Sequence, residues 1–165
     1  MANRAYCQTM AKYNQWMNRK IYEVCAGISD EERKKDRKAF FKSVHGTLNH
    51  LLWGDRAWMK RLTGGDYPIT KMGEDVYADF EELRSQRAKL DAEIVQWAES
   101  LTDEWIAGTT VTFESVSYKR TFSLPASLCV MQLFNHQTHH RGQLTTLLTQ
   151  MGVDYGPTDL PVMPV

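Results

Sequence analysis

Apolar residues recur at intervals of three and four along four long stretches of the chain, the spacing that turns one side of an α-helix toward a core. Tyr6, Met10, Tyr13, Met17 and Val24 mark the first, from about residue 2 to 26. Val44, Leu48, Leu51, Trp58 and Leu62 mark the second, from about 43 to 62, where Gly64-Gly65-Asp66 supplies a stop. The third, about 79 to 101, has the cleanest stripe, Phe80, Leu83, Leu90, Ile94, Trp97 and Leu101, interrupted by Arg87. Cys129, Leu133, Leu144, Leu147 and Met151 continue the pattern in the fourth, which ends at Gly152 and carries His136 and His140 in the same seam.

The intervening stretches read differently. Ser29 is placed to cap a short charged turn that leads to Phe40-Phe41, and a loop holding Tyr67-Pro68 joins the second and third helices. Between Gly108 and Leu124 the period changes: Thr109 to Phe113 and Tyr118 to Phe122 are β-branched and aromatic, which predicts a short hairpin or extended crossover. Pro125 suits the first turn of the fourth helix, with Ser123 as its expected cap. The tail from Val153 to Val165 holds three prolines and is expected to drape over the helices. The pattern as a whole predicts an all-α fold, a four-helix bundle with a long crossover carrying a short extended or hairpin segment between helices three and four. One domain over residues 1–165 fits the length.

Composition narrows the function classes. Twenty basic and twenty acidic side chains cancel, so a non-specific nucleic-acid binder is disfavoured. Apolar runs are too short to span a membrane, and the first residues lack an apolar signal core. Cys7, Cys25 and Cys129 are odd in number and form no CxxC pair, which suits reduced thiols and a cytoplasmic setting.

The chemistry concentrates in His136-Gln137-Thr138-His139-His140-Arg141-Gly142-Gln143, which holds three of the five histidines. His136 and His140, four apart on a helix, project from one face, the spacing that lets two imidazoles grip one metal ion. A zinc-protease helix of the HExxH type has glutamate as its second residue; Gln137 stands there instead and cannot act as a general base. Two imidazoles in an apolar seam need partners, either a metal or backbone carbonyls and a carboxylate such as Asp55. Metal is the favoured reading. His50 is the natural third ligand, with Gly46, Thr47, Trp53 and Gly54 around it leaving room for a close approach or a pocket. His45 competes, but lies about 140° around the helix from His50. His139 points about 100° away from His140, and Cys129 stands about two turns from His136, a small buried hydrophobe. Tyr13, Trp16, Asn49 and Trp53 are candidates for the mouth of a pocket, against the plainer reading of the aromatics as core. Arg141 and Gln143 are expected to support the site through hydrogen bonds, Arg141 with Asp55. No catalytic residue beyond a metal site is assigned by any motif.

Asn135 to Gln143 closely resembles the signature of the DinB-like (DinB/YfiT-like) metalloenzyme family. Tyr13 to Asn18 resembles its first-helix pattern, and Ser43 to Leu52 with Asp55-Arg56 and Trp58 its second. Gly152-Val153-Asp154 and Thr158-Asp159-Leu160 resemble its C-terminal closure, so the similarity spans nearly the whole chain. The resemblance implies a bundle holding a divalent ion on His50, His136 and His140. It also implies the thiol-dependent S-transferase or isomerase chemistry of several family members, with a low-molecular-weight thiol, and a homodimer.

Three imidazoles without a carboxylate favour zinc or nickel over magnesium or calcium. Two classes follow: a metal-dependent hydrolase or thiol S-transferase acting on a small molecule, and a non-catalytic metal-binding stress-response protein. Leu51, Leu52, Trp53 and Trp58 spread apolar surface beyond one stripe, which adds to the expectation of a homodimer.

Overall fold

In the computed structural model each of the first helices begins where a side chain takes up a backbone N–H that the helix leaves unpaired. Asn3 accepts from the Tyr6 N–H to open α1 (Arg4–Ala26), and Ser29 from Glu32 to open the short α2 (Asp30–Lys34). Ser43 accepts from Gly46 at the start of α3 (Val44–Thr63), and Asp79 from Glu82 at the start of α4 (Phe80–Ser100). Gly64, in the left-handed conformation at φ 72°, ends α3 where the sequence placed its stop. The structure describes residues 2–115 and 118–164; Met1, Val116, Ser117 and Val165, including the tip of the expected tail, lie outside.

The crossover is richer than the sequence indicated. It opens with α5 (Asp103–Gly108), capped by Thr102, a helix too short to show a period. β1 (Thr110–Ser115) then pairs antiparallel with β2 (Arg120–Pro125), with Phe113 opposite Phe122. α6 (Ala126–Gln150) follows without a side-chain cap. Ser123 was the expected cap, but it lies within β2, its hydroxyl 3.0 Å from that of Thr112. The hairpin itself closes the helix: the Ala126 N–H donates to the Thr109 carbonyl at 2.8 Å.

α1 packs chiefly on α4, and α3 on α6, around one apolar core. The fold is thus mostly helical, with a two-stranded hairpin between the later helices. Arg87, the break in the α4 stripe, is 1% exposed. Its guanidinium lies 2.8 Å from both Asp55 and Asp91. Asn18 donates to Asp91 at 2.9 Å and the Gln137 amide donates to Asp55, so one polar belt joins α1, α3, α4 and α6. Burial raises both carboxyls, Asp91 to about 6, although Arg87 pulls in the opposite direction.

Leu51 and Leu52 are 3% and 0% exposed inside this chain, so they offer no surface to a second copy. Along α1 the tail lies as expected: Tyr13 donates its hydroxyl proton to the Thr158 carbonyl at 2.5 Å, and Lys20 bonds the Pro157 carbonyl. No helix among the described residues is long and apolar enough to cross a membrane.

Candidate metal centre

The packing of α3 on α6 decides which histidines meet. The Nε2 of His50 stands 3.2 Å from that of His136 and 3.1 Å from that of His140. Nitrogens held ~2.1 Å from one ion, at angles between ~90° and ~109°, lie about 3.0–3.4 Å apart, so the cluster has the dimensions of a shared metal shell. His50, His136 and His140 are the one such group found among the described residues.

The protonation chemistry agrees. His140 Nδ1 lies 2.8 Å from Gln143 Oε1, an oxygen that only accepts, so Nδ1 carries the proton and Nε2 bears a lone pair. Burial, reinforced by the neighbouring histidines, lowers His50 and His136 to about 3. Burial lowers His140 as well, against the opposing pull of Gln143. The rings are therefore neutral near pH 7, the form that binds metal. One N–H can bridge one pair of nitrogens and leaves the third facing a lone pair; a single cation satisfies all three.

Three contacts shape the cluster. Gly54 admits His136 to α3: a Cβ there would lie 2.3 Å from the His136 Cε1 and 2.8 Å from its Nδ1. Phe41, from the turn before α3, stacks on His50 at 3.8 Å between centroids and meets His140 edge-on at 5.4 Å. Trp53 lies nearly parallel to His50, 17° between planes, at 5.9 Å. Of these, Gly54 and Trp53 were visible as neighbours of His50; Phe41 was not, because a loop residue carries no periodic signal.

His45 is not part of the cluster. Its Nε2 donates to the Tyr77 carbonyl at 3.0 Å, beside Asn49, whose amide oxygen accepts from the Val76 and Tyr77 N–H groups at 2.8 and 2.9 Å. Asn49 is thus a buried clamp on the loop between α3 and α4, not a residue of the pocket mouth. Tyr13 is buried under the Arg141 guanidinium, 4.8 Å from ring to cation, and Trp16 packs on Tyr13. Arg141 does not meet Asp55. It donates to Asn14 at 3.1 Å and Thr138 at 3.3 Å, since Asp55 is already engaged by Arg87 and Gln137. Cys129 is buried, its thiol pushed up by desolvation, and His139 is exposed, 3.4 Å from the Gln143 amide.

A cavity of about 600 Å³ opens beside the cluster, with His50 and Trp53 in its wall. One side is the turn bearing Phe40 and Phe41; the other is the α3–α4 loop at Met72 to Asp75. Trp53 pins that loop by donating its indole N–H to the Thr70 carbonyl at 2.8 Å.

The model of the DinB family matches residues 1–164. Protein DinB of Bacillus subtilis (strain 168) is 27% identical over 157 residues, covering 90% of this chain and 87% of that protein. The crystal structure of a DinB-like protein from Bacillus cereus ATCC 10987 superposes with a TM-score of 0.64 at 20% identity, over 86% of this chain and 90% of that one, a likeness of fold. With the match running from end to end of the bundle, the chain belongs to the DinB family.

Proposed function

We propose that the chain is a metal-dependent enzyme acting on a small molecule, a hydrolase or a thiol-dependent S-transferase, with His50, His136 and His140 holding a divalent ion. The observation that carries this reading is the convergence of three neutral imidazoles, the Nε2 atoms of His136 and His140 each within 3.2 Å of that of His50, next to a cavity large enough for a substrate. An all-imidazole set supports zinc or nickel. When bound, such an ion supplies Lewis-acid chemistry, acidifying a water or a low-molecular-weight thiol that enters beside it.

The chain's own residues contribute orientation and exclusion of water. Gln143 fixes the tautomer of His140, Gly54 leaves space for the His136 ring, and Phe41 covers His50. All three cysteines are free and buried, with Cys7 and Cys25 pushed up to about 11 and about 12 by burial, so none is a ready nucleophile. Their free state also supports a cytoplasmic setting. Assembly as a homodimer belongs to the same proposal, now carried by the family resemblance without Leu51 and Leu52.

Elemental analysis of single variants tests the site. His50→Ala, His136→Ala and His140→Ala are expected to lose the ion and His45→Ala to keep it; full retention after loss of His136 or His140 sinks the assignment. The metal-loaded protein is then offered thiols with electrophiles, and separately esters, amides and lactones. Turnover that disappears with the metal supports the enzyme; no turnover across the panel transfers the case to a non-catalytic metal-binding stress-response protein.

A further inference from the structure

We infer that the cavity beside His50 recognises a small molecule through a flat aromatic body, with no selection for net charge. This rests on the proposal that the cavity receives the substrate, and it adds the substrate's chemical class.

Phe40 is the starting point. It is 82% exposed, packed edge-on against Phe41 at 4.8 Å, and lines the cavity mouth. So much bare aromatic surface adds nothing to the core, yet the backbone is bent to present it. Lys38 and Lys42 bracket the pair at φ 59° and 64°, left-handed conformations that are strained for a residue with a side chain. The turn is locked by the Arg37 N–H on the Lys42 carbonyl at 2.7 Å and the Lys42 N–H on the Ala39 carbonyl at 2.8 Å. It also sits so close to α3 that a Cβ on Gly46 would lie 2.2 Å from the Phe41 carbonyl oxygen. Two strained lysines and an obligatory glycine thus hold an aromatic pair at the entrance to the histidine cluster.

The remaining walls match. Phe41 spends one face on His50, 3.8 Å away, and Trp53 lies 17° from the His50 plane at 5.9 Å, so a flat guest meets aromatic surface along the wall of Phe40, Phe41 and Trp53 rather than a slot between these rings. Met72, 56% exposed on the opposite lip, is an adaptable apolar contact. Charges in the lining are mixed, Lys34 and Lys42 with Asp36, Glu74 and Asp75, which gives no single-signed field to select a net charge. A volume of about 600 Å³ admits a molecule of one or two rings.

NMR titration of the metal-loaded protein tests the inference, with benzyl alcohol as probe and 1,4-butanediol, phenylacetate and benzylamine as comparators. Benzyl alcohol is expected to shift the Trp53 indole N–H and to bind more tightly than butanediol and no more weakly than either charged analogue. Phe40→Ser should weaken it roughly tenfold, as loss of one ring face predicts, with helix content and metal content unchanged. Met72→Ser on the other lip repeats the test should Phe40→Ser be unstable. Equal binding by butanediol, a preference for one charged analogue, or full affinity in both variants overturns the inference. So does self-association that Phe40→Ser abolishes, which would make Phe40 a contact between copies. His136→Ala separates the two proposals: benzyl alcohol binding without metal upholds the aromatic mouth by itself, whereas metal retention in that variant counts against the metal site alone.

Discussion

Gly54 shows how one residue can decide whether the cluster forms. In a helix interior, alanine is ordinarily more stable than glycine by ~1 kcal/mol. Here the added methyl would run into the His136 ring at 2.3 Å, too close for any adjustment short of moving the imidazole. Gly54→Ala is therefore expected to leave helix content intact while weakening metal binding at least ~tenfold, comparable to loss of a supporting contact around a metal ligand. Titration with zinc or nickel, followed by circular dichroism on the same samples, checks it; wild-type affinity in the variant would mean that His136 can reach the ion from another rotamer. At this scale the sequence was informative where spacing alone fixes geometry. His136 and His140 could be paired by their interval, and His45 set apart from His50 by rotation about one helix. The Phe41 stack and the Asn49 clamp depend on where loops return, and no interval encodes that.

Among the elements, the polar belt is where the helical stripes conceal most. Arg87 reads as a flaw in the α4 pattern, but it is the link that binds α4 to α3 through Asp55 and is steadied by Asp91. Removing one partner of such a pair strands the other charge without water, at a cost of about 3–5 kcal/mol. Asp55→Ala should lower the urea unfolding midpoint by that equivalent, and Asp55→Asn, which keeps a hydrogen-bond acceptor for Arg87, by clearly less. Equal midpoints for the two variants would show that the charge of Asp55, rather than its packing or its hydrogen-bond acceptor, is what steadies Arg87. The belt reaches the histidine cluster through α6, where Gln137, bonded to Asp55, directly follows His136. Four helices and a hairpin were legible from the change of period; α5 was too short to register, and Ser123 misled because the hairpin register, not a side chain, closes the start of α6.

At the scale of the whole molecule, the buried histidines couple stability to pH, and an ion held on them would couple it to metal as well. His50 and His136 are lowered to about 3 by burial, while an unfolded histidine titrates near ~6.5. Since the folded value is the lower, the unfolded chain binds more protons throughout the interval. Stability is therefore fully present above ~6.5 and is lost progressively as pH falls from there toward about 3. The metal-free protein should accordingly unfold at lower urea as pH is taken from about 7.5 to about 4.5, and His136→Ala should flatten that slope. An ion bound between α3 and α6 adds stability by mass action, about 2.7 kcal/mol at a hundredfold excess over its Kd, because the unfolded chain does not hold the three rings together. That increment should be present at about pH 7.5 and shrink over the same acid range, as protons displace the ion from the nitrogens. Melting curves at two pH values, with and without metal, for wild type and His136→Ala make the comparison. A metal-induced stabilisation that survives in His136→Ala would place the stabilising ion elsewhere on the protein and separate it from the histidine cluster.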